Sequence, residues 1–328
     1  MAAVRFVVRQ QRRMRVRGKN ALVTGGSRGL GLQIARRLVE RGVNVAVVAR
    51  DVQELERAVE LLRAHAALHP ETAGVRVIGV PCDLEYASAI DSMVRNVRAR
   101  LGPIDLLVNN AGTIQVGPLD SMTLEDFQRS MKLHCFAALR TSLAVRADMH
   151  ARGGGRIANI ASFGGVVSVP HLLPYSAGKF ALVGLSQGLH AELSKEGIVV
   201  STIAPGLMRT GSPRNASFKG DHQSEYAWFS IADSLPGLSM SARRAARRIV
   251  RALEFGDTYV VLGLPAKLGV LANALAPDLM SRLLGFVNTL LPSGTDRTAH
   301  SGEDSVSSVS PSRLAALNER AELENNQR

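Results

Sequence analysis

Tyr175 and Lys179 stand four residues apart in "PYSAGK" (174–179), where a helical stretch begins. About one turn of helix separates them, so both side chains project from one face. A phenol held beside an ammonium group is a proton donor whose acidity the cation raises. An isolated Y-x-x-x-K is more often a surface tyrosine and a solvated lysine, so the pair needs support from the rest of the chain.

That support begins upstream. "TGGSRGLG" (24–31) follows an apolar run and opens an amphipathic one. Gly25, Gly29 and Gly31 permit a tight turn, and with Ser27, Arg28 and Leu30 they bring backbone amides to a helix N-terminus, where a pyrophosphate is favoured. About twenty residues further on, an acid would accept from the 2′-hydroxyl of NAD. Here the second strand ends "VVAR" with Ala49 and Arg50. Arg28 and Arg50 together suit a dianionic 2′-phosphate through charge-assisted contacts, so NADP(H) is favoured over NAD(H). Two solvated arginines are the alternative, and Asp51 is expected to cap the following helix.

Positioning these groups takes alternating strands and helices. Strands are predicted at 20–24, 43–49, 75–80, 105–109, 155–162, 198–204 and 258–262. Helices are predicted at 29–41, 51–68, 87–100, 123–150, 174–195 and 241–254. Strands rich in Val and Ile on both faces imply a parallel sheet covered on both sides. The fold class is therefore α/β, a doubly wound Rossmann-type parallel sheet with helices on both faces. The division predicted is a basic arm (1–17), a catalytic domain (18–264), apolar or amphipathic helices (265–292) and a largely disordered tail (293–328) with a short helix near 312–324. Within the domain, 206–240 lacks periodicity and reads as a mobile substrate-covering loop.

With "TGGSRGLG", "NNAG" (109–112), a serine thirteen residues before Tyr175, and "YSAGK" in this order, the chain resembles the short-chain dehydrogenase/reductase family over about residues 18–262. The resemblance implies hydride transfer between nicotinamide C4 and a carbinol or carbonyl carbon. It implies that Tyr175 is the general acid for reduction and base for oxidation, that Lys179 lowers its pKa from about 10 and holds the nicotinamide ribose, and that Ser162 orients the substrate oxygen. A donor aligned on a developing oxyanion contributes about 3 kcal/mol. It further implies adenine contacts at Asp83 and Leu84, a cofactor wall at Asn110, Ala111 and Gly112, and nicotinamide contacts at Pro205, Gly206 and Thr210. One position departs: where the family usually has an asparagine assisting a proton relay, "SMKLHCFAALR" holds His134. His134 either keeps a relay or simply packs its helix.

The loop aromatics Phe218, Tyr226, Trp228 and Phe229, with Leu172 and Leu173, point to a small hydrophobic ketone or alcohol as substrate. The alternative is a binding protein that keeps the cofactor and has lost turnover. The net charge of +12 is concentrated at the start, where residues 1–19 carry seven cations and no acid. Without a recognition motif this disfavours nucleic acid; weak peripheral contact with a membrane, through the arm and 265–292, is the second use for it. No run of 18 apolar residues predicts a spanning helix. Cys82 and Cys135 match no metal spacing, His65 and His69 lack further ligands, and no metal is expected. The expected location is cytoplasmic, and a homodimer through the helices at 123–150 and 174–195 is what the resemblance implies.

Overall fold

A computed structural model of the chain describes residues 9–234, 239–306, 321–322 and 324–327. Its centre is a seven-stranded sheet, all neighbours parallel, in the order β3-β2-β1-β4-β6-β7-β11. The strands are β1 (Asn20–Thr24), β2 (Asn44–Ala49), β3 (Val77–Pro81), β4 (Leu106–Asn109), β6 (Gly155–Ile160), β7 (Ile198–Pro205) and β11 (Tyr259–Leu262). Their Val, Ile and Leu side chains face both ways, which forces cover on both sides. One layer holds α1 (Gly29–Val39), α2 (Val52–Ala67) and α8 (Ala242–Phe255). The other holds α3 (Ala87–Leu101), α4 (Leu124–Met131), α5 (Ala137–Ala151) and α6 (Leu173–Leu193). Asp51 caps α2 as expected, accepting from the Glu54 amide at 2.8 Å.

The expected long helix at 123–150 is two helices joined through a π-turn, Lys132–Phe136. A π-turn inserts one residue into the helical ladder and re-aims the side chains within it. His134 is one of them.

Three regions predicted to lie outside the regular pattern contain ordered elements among the described residues. Residues 206–240 contain β8 (Met208–Arg209), β9 (Ser217–Phe218), the helix α7 (His222–Ser234) and β10 (Met240–Ser241). β9 joins β5 (Gln115–Val116) and β12 (His300–Ser301) in a small second sheet, so part of the tail predicted disordered is a strand partner. Residues 321–322 and 324–327 lie against the glycine turn. Most of the helix predicted near 312–324 falls outside the described residues. The basic arm is docked from residue 9 onward: Arg9 makes two bonds to Asp257, at 2.9 and 2.6 Å, and sits over the Phe255 ring. After β11 come α9 (Leu264–Leu275) and α10 (Pro277–Asn288); α10 buries none of its residues.

Candidate active site

The glycine turn is as tight as its composition demands. Gly25 and Gly29 take φ of +60° and +57°, where a Cβ is strained. A Cβ on Gly25 would also stand 2.8 Å from the Ala111 Cα, and one on Gly31 would overlap the Gly25 carbonyl. This close approach is locked by Asn110, whose side chain donates to the Gly25 carbonyl at 3.0 Å, and by Thr24 Oγ1, which accepts from the Asn110 and Ala111 amides. Above the turn, at the carboxyl ends of the strands, runs a cleft of about 720 Å³. Its walls include Asp83 and Leu84 at one end, Gly112, Ile160 and Lys179 at the other, and Gly25, Ser27, Arg28, Gly29, Leu30, Arg50, Asn110, Ala111 and Thr210 between. A channel of that size over the N-terminus of α1 fits a dinucleotide. Gly31, Tyr175, Pro205 and Gly206, all expected at the cofactor, do not line it: Gly31 packs on Gly25, Tyr175 packs on the cluster of Leu172, Phe218 and Phe229, and the Gly206 amide is spent on the Leu262 carbonyl at 2.9 Å.

At the far end the structure brings Ser162, Tyr175 and Lys179 together. Ser162 caps a short turn by accepting from the Gly164 amide at 3.1 Å, and its hydroxyl bonds that of Tyr175. Lys179, one turn along α6, lies with Nζ 5.7 Å from the Tyr175 ring centre and donates to the Ile160 carbonyl at 2.8 Å. Lys179 makes its hydrogen bond to that carbonyl and not to the phenol oxygen, and the pKa shifts reflect that. Burial pushes Tyr175 up to about 12, with the Ser162 bond pulling the other way and buried Asp233 adding to the rise. Burial brings Lys179 down to about 7. The expected lowering of Tyr175 by Lys179 is therefore not seen, because burial of both groups in a low-dielectric pocket dominates.

His134 is 1% exposed, and its ring meets Tyr175 edge-on with centres 5.3 Å apart. Burial first, and the Lys179 charge second, hold it well below its usual pKa, so it is neutral. Its Nε2 faces the Thr113 carbonyl at 3.1 Å, an acceptor, which assigns the proton to Nε2. Nδ1 is then a bare acceptor with no partner among the described residues. Gly112 makes the room: a Cβ there would stand 3.0 Å from Nδ1 and 3.5 Å from Lys179 Nζ.

A lid covers the Tyr175 side. Phe218 and Phe229 are buried with Leu172, and Tyr175, Tyr226 and Trp228 pack on them. The lid is pinned by Glu225, fully buried, which takes His171 Nδ1 at 2.7 Å and accepts from Trp228 Nε1 at 2.6 Å. His171 is held at a φ of +61°, its carbonyl accepting from the Gly117 amide. Asp233, also on α7, is pushed up to about 7 by burial.

Sequence reasoning missed Glu54, Glu225, Asp233 and Gln327. Glu54 bonds the Ser27 hydroxyl and pairs with Arg28 at 2.8 Å, while Arg28 also donates to Asn215. Its one available signal was its place in the first turn of α2, next to the expected ribose site. Arg50 is exposed and has no ion pair among the described residues.

A parallel sheet with a glycine-lined cleft at its carboxyl edge, ending on a Ser–Tyr–Lys group, defines a Rossmann-type oxidoreductase. The short chain dehydrogenase family profile matches residues 19–219, and the chain belongs to that family. A fatty acyl-CoA reductase of Acinetobacter baylyi is 34% identical over 285 residues, 86% of this chain and 88% of the relative. L-sorbose reductase from Gluconobacter frateurii, solved with NADPH and L-sorbose, superposes with a TM-score of 0.66 at 30% identity, covering 76% of this chain and 95% of that one. A variant of actinorhodin polyketide ketoreductase, solved with NADPH, gives 0.65 at 32% identity over 75% and 95%. The protein is an oxidoreductase of alcohol and ketone groups that uses a nicotinamide dinucleotide. No described helix is long and apolar enough to cross a membrane.

Proposed function

We propose that the enzyme interconverts a hydrophobic ketone and its secondary alcohol with NADP(H), using Ser162, Tyr175 and Lys179. The observation that carries this is the meeting of those three side chains where Lys179 lines one end of a cleft that runs over the glycine turn. Bound there, the cofactor supplies or accepts hydride, and in its oxidised form adds a positive charge beside Tyr175. Tyr175, protonated at neutral pH, donates to the substrate oxygen in reduction. Ser162 orients that oxygen through the hydrogen bond it now gives the phenol. Lys179 holds the ribose and, when charged, favours the phenolate. The unfilled Nδ1 of His134 on the Lys179 side supports a proton path through this imidazole.

The preference for NADP(H) rests on Arg28 and Arg50, and the apolar substrate on the Phe218–Phe229 lid. The NADPH-bound neighbours support the first reading and the fatty acyl-CoA reductase the second. Consumption of NADPH over a panel of long-chain, cyclic and polar ketones tests them. Activity confined to the polar members, or equal efficiency with NADH, would contradict this assignment.

Two surface features support partners. Exposed Phe136 at the end of the π-turn, Leu143 of α5 and Phe180 of α6 leave apolar area at the surface, consistent with a homodimer. Leu268, Leu271 and Leu275 of α9 and Leu279, Leu283 and Phe286 of α10 are all exposed, consistent with weak peripheral membrane contact. Light scattering and liposome co-sedimentation at two salt concentrations test these; a monomer, or protein that stays in the supernatant, would contradict them.

A further inference from the structure

The last residues of the chain cross the mouth of the dinucleotide cleft. The Asn325 carbonyl accepts from the Gly29 amide at 2.9 Å, at the first residue of α1. The Asn326 side chain donates to the Ser27 carbonyl at 2.9 Å and the Glu54 carbonyl at 3.2 Å. On the opposite bank, the Gln327 amide donates to the Thr210 carbonyl at 3.1 Å and its oxygen accepts from Asn215 at 2.7 Å. One short segment thus ties the glycine turn to the loop after β7.

The fit is built on both sides. Asn326 takes a φ of +54°, a left-handed conformation that asparagine tolerates better than most residues. Gly211 lacks the Cβ that would stand 2.9 Å from the Glu322 Cα. Asn325 and Gln327 are buried although wholly polar, because their amides find backbone partners.

With the segment seated, the cleft still runs from Asp83 to Lys179 at about 720 Å³, and Gln327 is part of its wall. The contacting side chains Asn325, Asn326 and Gln327 are neutral, so they bring no carboxylate to a site meant for phosphates. A plug imitating the ligand's charge would place an acid over the N-terminus of α1; the contacts to the Gly29 amide and the Ser27 carbonyl come instead from the Asn325 carbonyl and the Asn326 side-chain amide.

We infer that residues 324–327, with 321–322, are a component of the dinucleotide site, a strap that closes over the bound cofactor and must lift for its release. The inference rests on the reading of the cleft as an NADP(H) site. Helix α1 still offers the amides of its first turn beyond Gly29 to the pyrophosphate, while the Gly29 amide anchors the strap.

The test compares the full chain with one ending at Arg320, and with the full-length double variant Asn326→Ala/Gln327→Ala. NADPH release is followed by stopped-flow fluorescence after mixing with excess NADP+. Release at least tenfold faster in both altered forms, with affinity no tighter, is the expected result. An unchanged release rate overturns the proposal. Tighter binding after truncation also overturns it, since the segment would then be a plug. Hydrogen exchange of the Gly29 amide without NADPH gives an independent reading: protection in the full chain, lost on truncation, is expected, and equal exchange overturns the seating. Failure of every form to bind NADPH would refute the cofactor reading itself, and a protected Gly29 amide distinguishes that failure from failure of the strap.

Discussion

Lys179 is a charge held where burial opposes it, so replacing it by methionine has a pH-dependent consequence for stability. Its pKa falls from 10.5 to about 7, and the residue is only 4% exposed. Between those values the unfolded chain binds a proton that the folded chain does not, so stability rises with pH across that window. Below pH 7 both states are protonated and the full desolvation cost is felt; above 10.5 neither is, and the cost vanishes. Lys179→Met removes this dependence. Between pH 6.5 and 9.5 the linkage is worth about 3 kcal/mol. The lost bond to the Ile160 carbonyl shifts the absolute difference but not its change with pH to first order. Tyr175, pushed up to about 12, stays protonated throughout and adds nothing to this range. Urea unfolding of both proteins at the two pH values reads the quantity directly. The native protein should gain about 3 kcal/mol on Lys179→Met as pH rises. A difference constant to within about 1 kcal/mol would refute the claim that Lys179 is buried against its charge.

Arg50→Ala should raise the KM for NADPH about tenfold and leave that for NADH nearly unchanged, the loss of one charge-assisted phosphate contact being worth about 1.5–3 kcal/mol. Glu54→Gln should move NADPH in the opposite direction by freeing Arg28, and steady-state kinetics with both cofactors measures each. Glu225→Ala breaks the bonds to His171 and Trp228; a destabilisation of about 3–5 kcal/mol is expected if the pair is charged, with the emission of Trp228, the chain's single tryptophan, shifting to the red. Unchanged emission and protease resistance of the lid would contradict its role as the pin. His134→Phe should lower kcat about tenfold or more with NADPH affinity retained, while His134→Asn should restore most of the rate; equal rates for both variants would assign His134 to packing alone.

The sheet and the glycine turn are legible in the sequence because they rest on local rules: β-branched runs of strand length, and glycines where a Cβ cannot fit. The Tyr175–Lys179 pair is legible because helical spacing puts both on one face, whereas Ser162 joins them in the sequence only through the family resemblance. Helix α7 was not, since it buries Glu225, Asp233 and Ser234 and so blurs the apolar stripe that marks a helix. The π-turn at His134 was hidden for a related reason: one inserted residue changes a side chain's direction without changing composition. The strap was least legible of all. "ENNQ" (324–327) has no apolar residue, and its order comes from amide side chains meeting backbone groups far along the chain, Asn326 to Ser27 being 299 apart and Gln327 to Thr210 117. Composition reports whether a segment can build its own core, and is silent on one that borrows another's hydrogen bonds.

The proton transfer assigned to Tyr175 is tested most directly by Tyr175→Phe, which removes one oxygen and keeps the ring that packs against His134. Turnover of the best ketone should fall by about 10²–10⁴ while NADPH binding, read by fluorescence titration, stays within about twofold. Turnover within a few-fold of the native rate, with cofactor bound equally well, would contradict the account.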